Sequence, residues 1–379
     1  MKKLKLIDIA PYSGKRVQPF DGVKQYMSTG DLKGDNLSFE EVTYESKPSR
    51  ADITVSEGDI LFAKMTNTNK ALQIDKDLDG MIVSTGFSVH KPIENVLDGS
   101  YFLHYLKHDY FQRQKNKFCT GAIQLAISNA GIEKIFIPLP EYPDQAKIAD
   151  ILNKSETLIK QRAESIALLD EFSRSTYLEM FGDPIKNTLS WPIERLDNLA
   201  KLERGRFSPR PRNDPSYYNG KYPFIQTGDI SKSGNRLISY TQTLNENGIK
   251  VSKEFKKRTI VIAIVGATIG ATAILKIDVY ATDSIIGITA DKTRTNEIFL
   301  EFTLRFWKPV LLRIAPEAAR ANINLEILNK LKFPVPPIDL QNQFAQIVDK
   351  TEALKTQYQK SLREFENLYG SLSQKAFKG

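Results

Sequence analysis

Ile135-Phe136-Ile137-Pro138-Leu139-Pro140, followed by Gln145-Ala146-Lys147-Ile148, returns later in the chain. The second version is Leu331-Lys332-Phe333-Pro334-Val335-Pro336, followed by Gln341-Asn342-Gln343-Phe344. Matching positions are 196 residues apart (334 − 138 = 196), and Ile127-Ser128 and Ile323-Asn324 keep that offset. Further upstream, Ser28-Thr29-Gly30-Asp31 matches Gln226-Thr227-Gly228-Asp229 at 198 (226 − 28), and Ile9-Ala10 matches Leu199-Ala200 at 190 (199 − 9). A near-constant offset held over this length means tandem duplication with small loop changes.

Each copy begins with short apolar or alternating runs broken by Gly, Asn and Asp, such as Asp59-Ile60-Leu61-Phe62-Ala63 and Ile260-Val261-Ile262-Ala263-Ile264-Val265. These read as strands ended by turns. Apolar spacing of three and four then predicts a helix over Tyr101–Lys117 and another over Glu297–Ile314. The globular part of each copy is therefore mixed α and β.

A proline stop follows, Pro138-Leu139-Pro140 or Pro334-Val335-Pro336-Pro337. Proline disfavours helix in the residue before it and is tolerated at a helix start. No Gly or Pro then occurs from Asp144 to Phe181, nor from Asp339 to Tyr369. Ile148, Ile151, Leu152, Leu158 and Ile159 in the first stretch, and Phe344, Ile347, Val348, Leu354 and Tyr358 in the second, keep helical spacing with Lys, Glu and Gln between. Thirty-eight residues (181 − 144 + 1) would reach about 57 Å at ~1.5 Å per residue. Helices of that length need a partner for their apolar stripe, and each is the obvious partner of the other. The predicted fold class is α+β: two tandem mixed domains separated by two long helices that pair as an antiparallel coiled coil, with pseudo-twofold symmetry; the alternative, a parallel pairing, needs the chain to double back over a long excursion. The expected division is a first domain over 1–140, a central helix over 141–184, a second domain over 185–337 and a C-terminal helix over 338–379.

Composition narrows the function classes. With 41% apolar and 26% charged residues in 379, a packed core and a solvated surface can both be built. Lys and Arg outnumber Asp and Glu by 53 to 45, a net charge of +8 whose sign favours an anionic partner. The single cysteine, Cys119, excludes an intrachain disulfide and any multi-cysteine zinc site, which fits a reducing cytoplasm. The longest apolar run, Thr259 to Ala273, is too short to span a bilayer and is interrupted by two glycines. No signal-peptide pattern follows Met1-Lys2-Lys3-Leu4. A cytoplasmic protein without a membrane partner is expected.

The duplicated order of globular unit, Pro-x-Pro, Gln and long helix resembles the specificity subunit of type I restriction-modification systems. The two Thr-Gly-Asp segments, and Gly266-Ala267-Thr268-Ile269-Gly270 after a strand, add to the likeness, which covers nearly the whole chain. The resemblance implies two target-recognition domains, each reading one half of a split site in double-stranded DNA. It also implies helices that dock two methyltransferase (modification) subunits, and a restriction/motor subunit that joins the assembly. Specificity subunits of this kind have no catalytic activity of their own and hold no cofactor; S-adenosylmethionine, ATP and Mg²⁺ belong to the partners. One departure from internal symmetry is visible: Lys64-Met65-Thr66-Asn67-Thr68-Asn69 stands where the second copy has Gly266 to Gly270.

Enzyme chemistry finds little support among the residues themselves. His104 and His108, four apart, form a possible two-ligand face, but no HExxH occurs. Gly266 to Gly270 is similar to a phosphate loop but lacks the Lys-Ser/Thr pair that would reach phosphates and Mg²⁺, and reads as a tight strand turn. The methyltransferase signatures Asn-Pro-Pro-Tyr and Phe-x-Gly-x-Gly are absent.

DNA-binding signals are better. Arg113, Lys115 and Lys117 interleave with Gln112, Gln114 and Asn116 near a helix end. Cations neutralise phosphates, and Gln or Asn can pair with adenine in the major groove. Arg204, Arg206, Arg210 and Arg212 crowd nine residues that Gly205, Pro209 and Pro211 keep irregular, poor core material and well suited to phosphates and guanine edges. Lys256 and Lys257 belong to a further basic run that suits backbone contact. The diverging loops add Lys64, Thr66, Asn67 and Asn69 in the first copy and Thr268 in the second. Arg320, Asn322 and Asn324 precede the second copy's last strand, where the first copy has Gln124 and Ser128. The repeated Thr-Gly-Asp segments, being shared, read as structural turns in which Asp bonds neighbouring amides. The competing class is a coiled-coil scaffold joining two protein-binding domains with no DNA role; a His104-dependent metal nuclease is a remote third.

Overall fold

The computed structural model describes residues 2–34, 36–121, 125–314 and 323–378. The chain divides into two compact units: Met1–Ala163 with Lys360–Gly379, and Glu164–Gln359.

In the first unit, Lys2–Lys5 pairs antiparallel with Phe136–Leu139, setting Lys3 opposite Pro138. A short helix, Leu6–Ile9, follows. A five-stranded sheet orders Lys15–Arg16, Ala51–Thr54, Ile82–Ser84, Lys24–Met27 and Glu40–Val42. A three-stranded sheet orders Phe87–His90, Ile60–Ala63 and Ala71–Gln73. Ile60, Phe62 and Phe102 lie in one apolar cluster and Leu61, Ala63 and Val83 in another. Both faces of the Ile60–Ala63 strand are thus covered, which explains its unbroken apolar run.

The second unit repeats this plan. Ile193–Arg195 pairs antiparallel with Lys332–Pro334, setting Ile193 opposite Pro334. The offsets of 190 (193 − 3) and 196 (334 − 138) read from sequence are therefore the two strands of one repeated ladder. Ile60 faces His90 and Gln73, as Ile260 faces Ile288 and Ile274. The parallel pairs Tyr26–Ile82 and Met27–Val83 recur as Phe224–Tyr280 and Ile225–Ala281, every residue shifted by 198 (224 − 26, 280 − 82).

The helix expected over Tyr101–Lys117 is two helices, Gly99–Lys107 and Asp109–Lys117. His108 between them has extended backbone (φ −78°, ψ 148°), and its Nδ1 accepts from the Tyr110 amide at 3.1 Å, capping the second helix. His104 and His108 consequently share no helical face. His104 is buried, with Nε2 2.8 Å from Asn153 Oδ1, and burial pushes its imidazole pKa down. The helix Glu297–Ile314 follows the sequence reading.

The long helices run over Tyr142–Phe181 and Ile338–Phe377. In the first unit, Ala149 and Leu152 from the start of one share a core with Ala376 and Phe377 from the end of the other. In the second unit, Tyr177 and Phe181 share a core with Phe344 and Val348, and Lys355 pairs with Asp170 at 2.6 Å. Phe181 and Phe377 are again 196 apart (377 − 181), and both are buried against aromatic residues of their own unit. Among the described residues, no helix is long and apolar enough to cross a membrane.

Candidate nucleic-acid interface

The loop after strand Ile60–Ala63 is held by the end of helix Asp109–Lys117. Thr66 Oγ1 donates to Asn116 Oδ1 at 3.1 Å, the Asn67 amide donates to the same oxygen at 3.1 Å, and Asn116 Nδ2 returns a bond to Asn67 Oδ1 at 3.1 Å. Asn67 adopts φ 56°, a left-handed conformation that Asn tolerates. On the other side, the Thr66 amide donates to Leu125 O at 3.0 Å and the Ile127 amide to Lys64 O at 2.9 Å. Fifty residues of sequence separation between the loop and the helix end close here. Asn67, Asn69, Arg113 and Lys117 are exposed, and Lys64 and Thr66 half-buried.

Lys115 departs from expectation. It is buried, 1% exposed, and its ammonium donates to the carbonyls of Ala63 (3.3 Å) and Thr68. Burial pushes its pKa down to about 8. Helical spacing could not show that this lysine turns inward beneath the loop while Arg113 and Lys117 turn outward. Lys115 is a strut of the loop, not a surface cation.

The equivalent loop of the second unit joins Ile260–Ala263 to Thr272–Leu275. Gly266 has φ 62°, Thr268 Oγ1 donates to Val265 O at 3.0 Å, and the Ile323 amide donates to Ile264 O at 3.0 Å, as Ile127 does to Lys64. Asn324 caps the helix Leu325–Asn329, its Oδ1 accepting from the Ile327 amide at 2.8 Å, just as Ser128 caps Asn129–Ile132. Gln124, Arg320 and Asn322 lie outside the described residues.

Three of the four arginines between residues 204 and 212 gather around Asp283. Arg204 Nε donates to Asp283 O at 2.7 Å, Arg212 reaches both carboxylate oxygens at 2.7 and 2.9 Å, and Arg210 lies 3.7 Å from one of them. Arg206 instead donates to Ser252 O at 3.2 Å. One carboxylate beside three exposed guanidiniums leaves a net positive surface. Gly205 makes the arrangement possible: a Cβ there would lie 2.1 Å from Thr282 O. Sequence reasoning did not find Asp283 or Asn116 as organisers, because neither stands near its clients in the chain.

Lys256 is exposed and bonded to Glu254 (2.8 Å) and Asp278 (3.1 Å), which hold its pKa above the usual lysine value. Lys257 stands exposed beside it. In both Thr-Gly-Asp segments Asp bonds a neighbouring amide as read, Asp31 Oδ2 accepting from the Ser28 amide at 2.9 Å and Asp229 Oδ2 from the Gln226 amide at 2.8 Å, but only the first is a turn: the second opens the helix Thr227–Lys232. Among the described residues, no group of three or more His, Cys, Asp or Glu is placed to hold a metal ion.

Comparison with known proteins agrees with this doubled arrangement. A family model described as the type I restriction modification DNA specificity domain matches residues 1–168 and again 190–364. A Methanocaldococcus jannaschii protein named as the MjaX specificity subunit of a type I restriction enzyme is 24% identical over 343 residues, 82% of this chain and 77% of that one. The MjaIX specificity subunit of the same organism is 20% identical over 71% of this chain and 65% of its own length. Among solved structures, a chain of a type I restriction-modification assembly superposes with TM-score 0.65 at 21% identity, covering 99% of this chain and 97% of that one. The specificity subunit from M. genitalium gives 0.64 at 15% identity, covering 99% and 96%. With the family model matched twice across most of its length, the chain belongs to the type I restriction-modification DNA specificity family.

Proposed function

We propose that this chain is the non-catalytic recognition subunit of a type I restriction-modification complex, in which the domains over 1–140 and 185–337 each read one half of a bipartite site in double-stranded DNA. The observation that carries this reading is the contrast inside the repeat. Strand registers recur residue for residue, while the loops at matching places differ: Lys64, Thr66, Asn67 and Asn69 in one, Thr268 among glycines in the other. A shared frame with unlike loops suits two unlike half-sites. Arg113 and Lys117 in the first unit, and Arg204, Arg206, Arg210, Arg212, Lys256 and Lys257 in the second, supply phosphate and base-edge contacts, as do Gln124, Arg320, Asn322 and Asn324.

The helices over 141–184 and 338–379 pair as an antiparallel coiled coil and set the distance between half-sites. The start of the first meets the end of the second in one unit, and its end meets the second's start in the other, which supports that sense. Exposed apolar side chains on these helices, Leu168 and Phe172 one turn apart, suit docking of methyltransferase subunits; a motor/nuclease subunit would complete the complex. Methylation, ATP hydrolysis and cleavage then belong to the partners.

Sequencing methylated DNA from cells with and without this chain, beside its methyltransferase, tests the reading. A split motif present only with the chain is expected. Inserting four residues into both helices, about 6 Å by helical rise, should lengthen the spacer by roughly one or two base pairs at ~3.4 Å each. No chain-dependent motif, or an unchanged spacer, refutes the function or the ruler respectively. Binding of the assembled complex should also weaken steeply with salt; a pure scaffold shows no DNA affinity to weaken.

A further inference from the structure

We propose that Glu40 and Gln242 are matching specificity positions, one in each unit, that read opposite hydrogen-bonding characters on a base edge. This rests on the DNA-reading function proposed above and adds to it residues that no motif singled out.

The strand registers establish the equivalence. In the first unit, Glu40–Val42 pairs antiparallel with Lys24–Met27: Lys24 opposite Val42, Gln25 opposite Glu41, Tyr26 opposite Glu40. In the second, Gln242–Leu244 pairs with Tyr218–Ile225: Tyr222 opposite Leu244, Pro223 opposite Thr243, Phe224 opposite Gln242. Tyr26 and Phe224 are the same position, since each also sits in the repeated parallel pair, with Ile82 and Tyr280. Glu40 therefore occupies in its unit the place that Gln242 occupies in the other. Both strands are sheet edges, both residues are exposed, and both stand beside the strand that leads into a Thr-Gly-Asp segment.

The chemistry at the two places is opposed. Gln226, which precedes Thr-Gly-Asp in the second unit, donates from Nε2 to Gln242 Oε1 at 2.7 Å. One lone pair of the Gln242 carbonyl is thereby used, and its NH2 group, which donates to no described residue, is the available donor. The pair borders a pocket of about 380 Å3 whose walls include Phe207, Tyr218 and Phe224. In the first unit the turn opens with Ser28, whose hydroxyl is spent locally, donating to Asp31 Oδ2 at 2.6 Å and accepting from the Gly30 amide at 3.2 Å. The Glu40 carboxylate, on a backbone paired with Tyr26, makes no hydrogen bond or ion pair with a described residue. A carboxylate only accepts, so it suits the exocyclic amine of cytosine or adenine. A fixed amide NH2 donates, so it suits the acceptors of guanine, thymine O4 or adenine N7. Acceptor against donor on one repeated frame gives the two half-sites different bases at one shared position.

The test uses the full chain assembled with its methyltransferase subunits and compares methylated motifs for wild type, Glu40→Gln and Gln242→Glu. The expected result is a change at one base position of one half-site for Glu40→Gln, and at one position of the other half-site for Gln242→Glu. Discrimination at that position should shift by roughly 5- to 150-fold, the range of one base-edge contact. Melting of the free subunits should stay near wild type, because both side chains are exposed. An unchanged motif in both variants overturns the inference, as does one substitution altering both halves or loss of all methylation with normal melting. A wild-type complex that yields no split motif fails the underlying function instead, so the two failures are told apart.

Discussion

Gln145 accepts at Oε1 a hydrogen bond from the backbone amide of Asp98 at 2.9 Å, and Gln341 accepts one from Asn296 at the same distance. Asp98 and Asn296 cap the helices Gly99–Lys107 and Glu297–Ile314, so in each unit a buried glutamine on a long helix fixes the start of a domain helix. Its Nε2 also donates to the Pro-x-Pro segment, at Pro140 O (3.0 Å) or Pro336 O (2.8 Å). The repeated Pro-x-Pro…Gln spacing is therefore a joint between long helix and domain.

Replacing Gln145 with Ala should destabilise the first unit strongly. It removes a fully buried side chain from the half-buried Asp98 amide and the carbonyls of Val96 and Pro140, with a total cost of about 1–3 kcal/mol. Exposed Lys147→Ala two residues away should stay within about 0.5 kcal/mol. Thermal unfolding of the two variants decides it; equal midpoints would remove the joint.

His90 gives the first unit an acid sensitivity. It is fully buried between Ala10 O (2.7 Å from Nδ1) and Ser88 Oγ (2.8 Å from Nε2), and burial holds its pKa near 4. The unfolded chain binds the proton near pH 6.5, so stability is fully present above that value and is lost as pH falls toward 4. That gap is worth roughly 3 kcal/mol. The free energy of unfolding should fall more steeply from pH 7 to 4 in wild type than in His90→Gln; parallel curves would show that His90 does not carry it.

Gly205→Ala should displace the arginine cluster. The new Cβ meets Thr282 O at 2.1 Å, a backbone atom that cannot swing away. A cost of about 1–3 kcal/mol is expected, together with weaker DNA binding as Arg204 and Arg206 lose their anchors. Gly228→Ala, which meets nothing within 4 Å, is the control. Wild-type affinity in Gly205→Ala would detach these arginines from DNA.

Leu168→Asp with Phe172→Asp should prevent co-purification with methyltransferase subunits while leaving the free subunit's melting within about 0.5 kcal/mol of wild type. The two side chains are 62% and 51% exposed, so the free subunit loses little by their replacement. Assembly at full strength would place docking elsewhere.

The duplication, the strands at Ile60 and Ile260, the long helices and the Asp-to-amide bonds of the two Thr-Gly-Asp segments were legible in the chain alone. Each rests on local spacing or on repetition, and neither needs knowledge of distant contacts. The offsets of 190, 196 and 198 showed the duplication, and the strand ladders of the two units repeat at those same offsets. The break at His108 was not legible, because apolar periodicity continues through it; only the cap to Tyr110 and the ring of Phe377 at 5.0 Å mark it.

Tertiary structure alone decided which polar residues serve the fold and which remain available. Lys115 and Arg113 look alike in sequence, yet one is buried under a loop and the other faces water. Asp283 gathers arginines more than seventy residues away, and Gln242 owes its orientation to Gln226 across a strand pair. Periodicity specifies what each segment buries, whereas the direction and partner of a single polar side chain depend on groups that the fold brings from elsewhere.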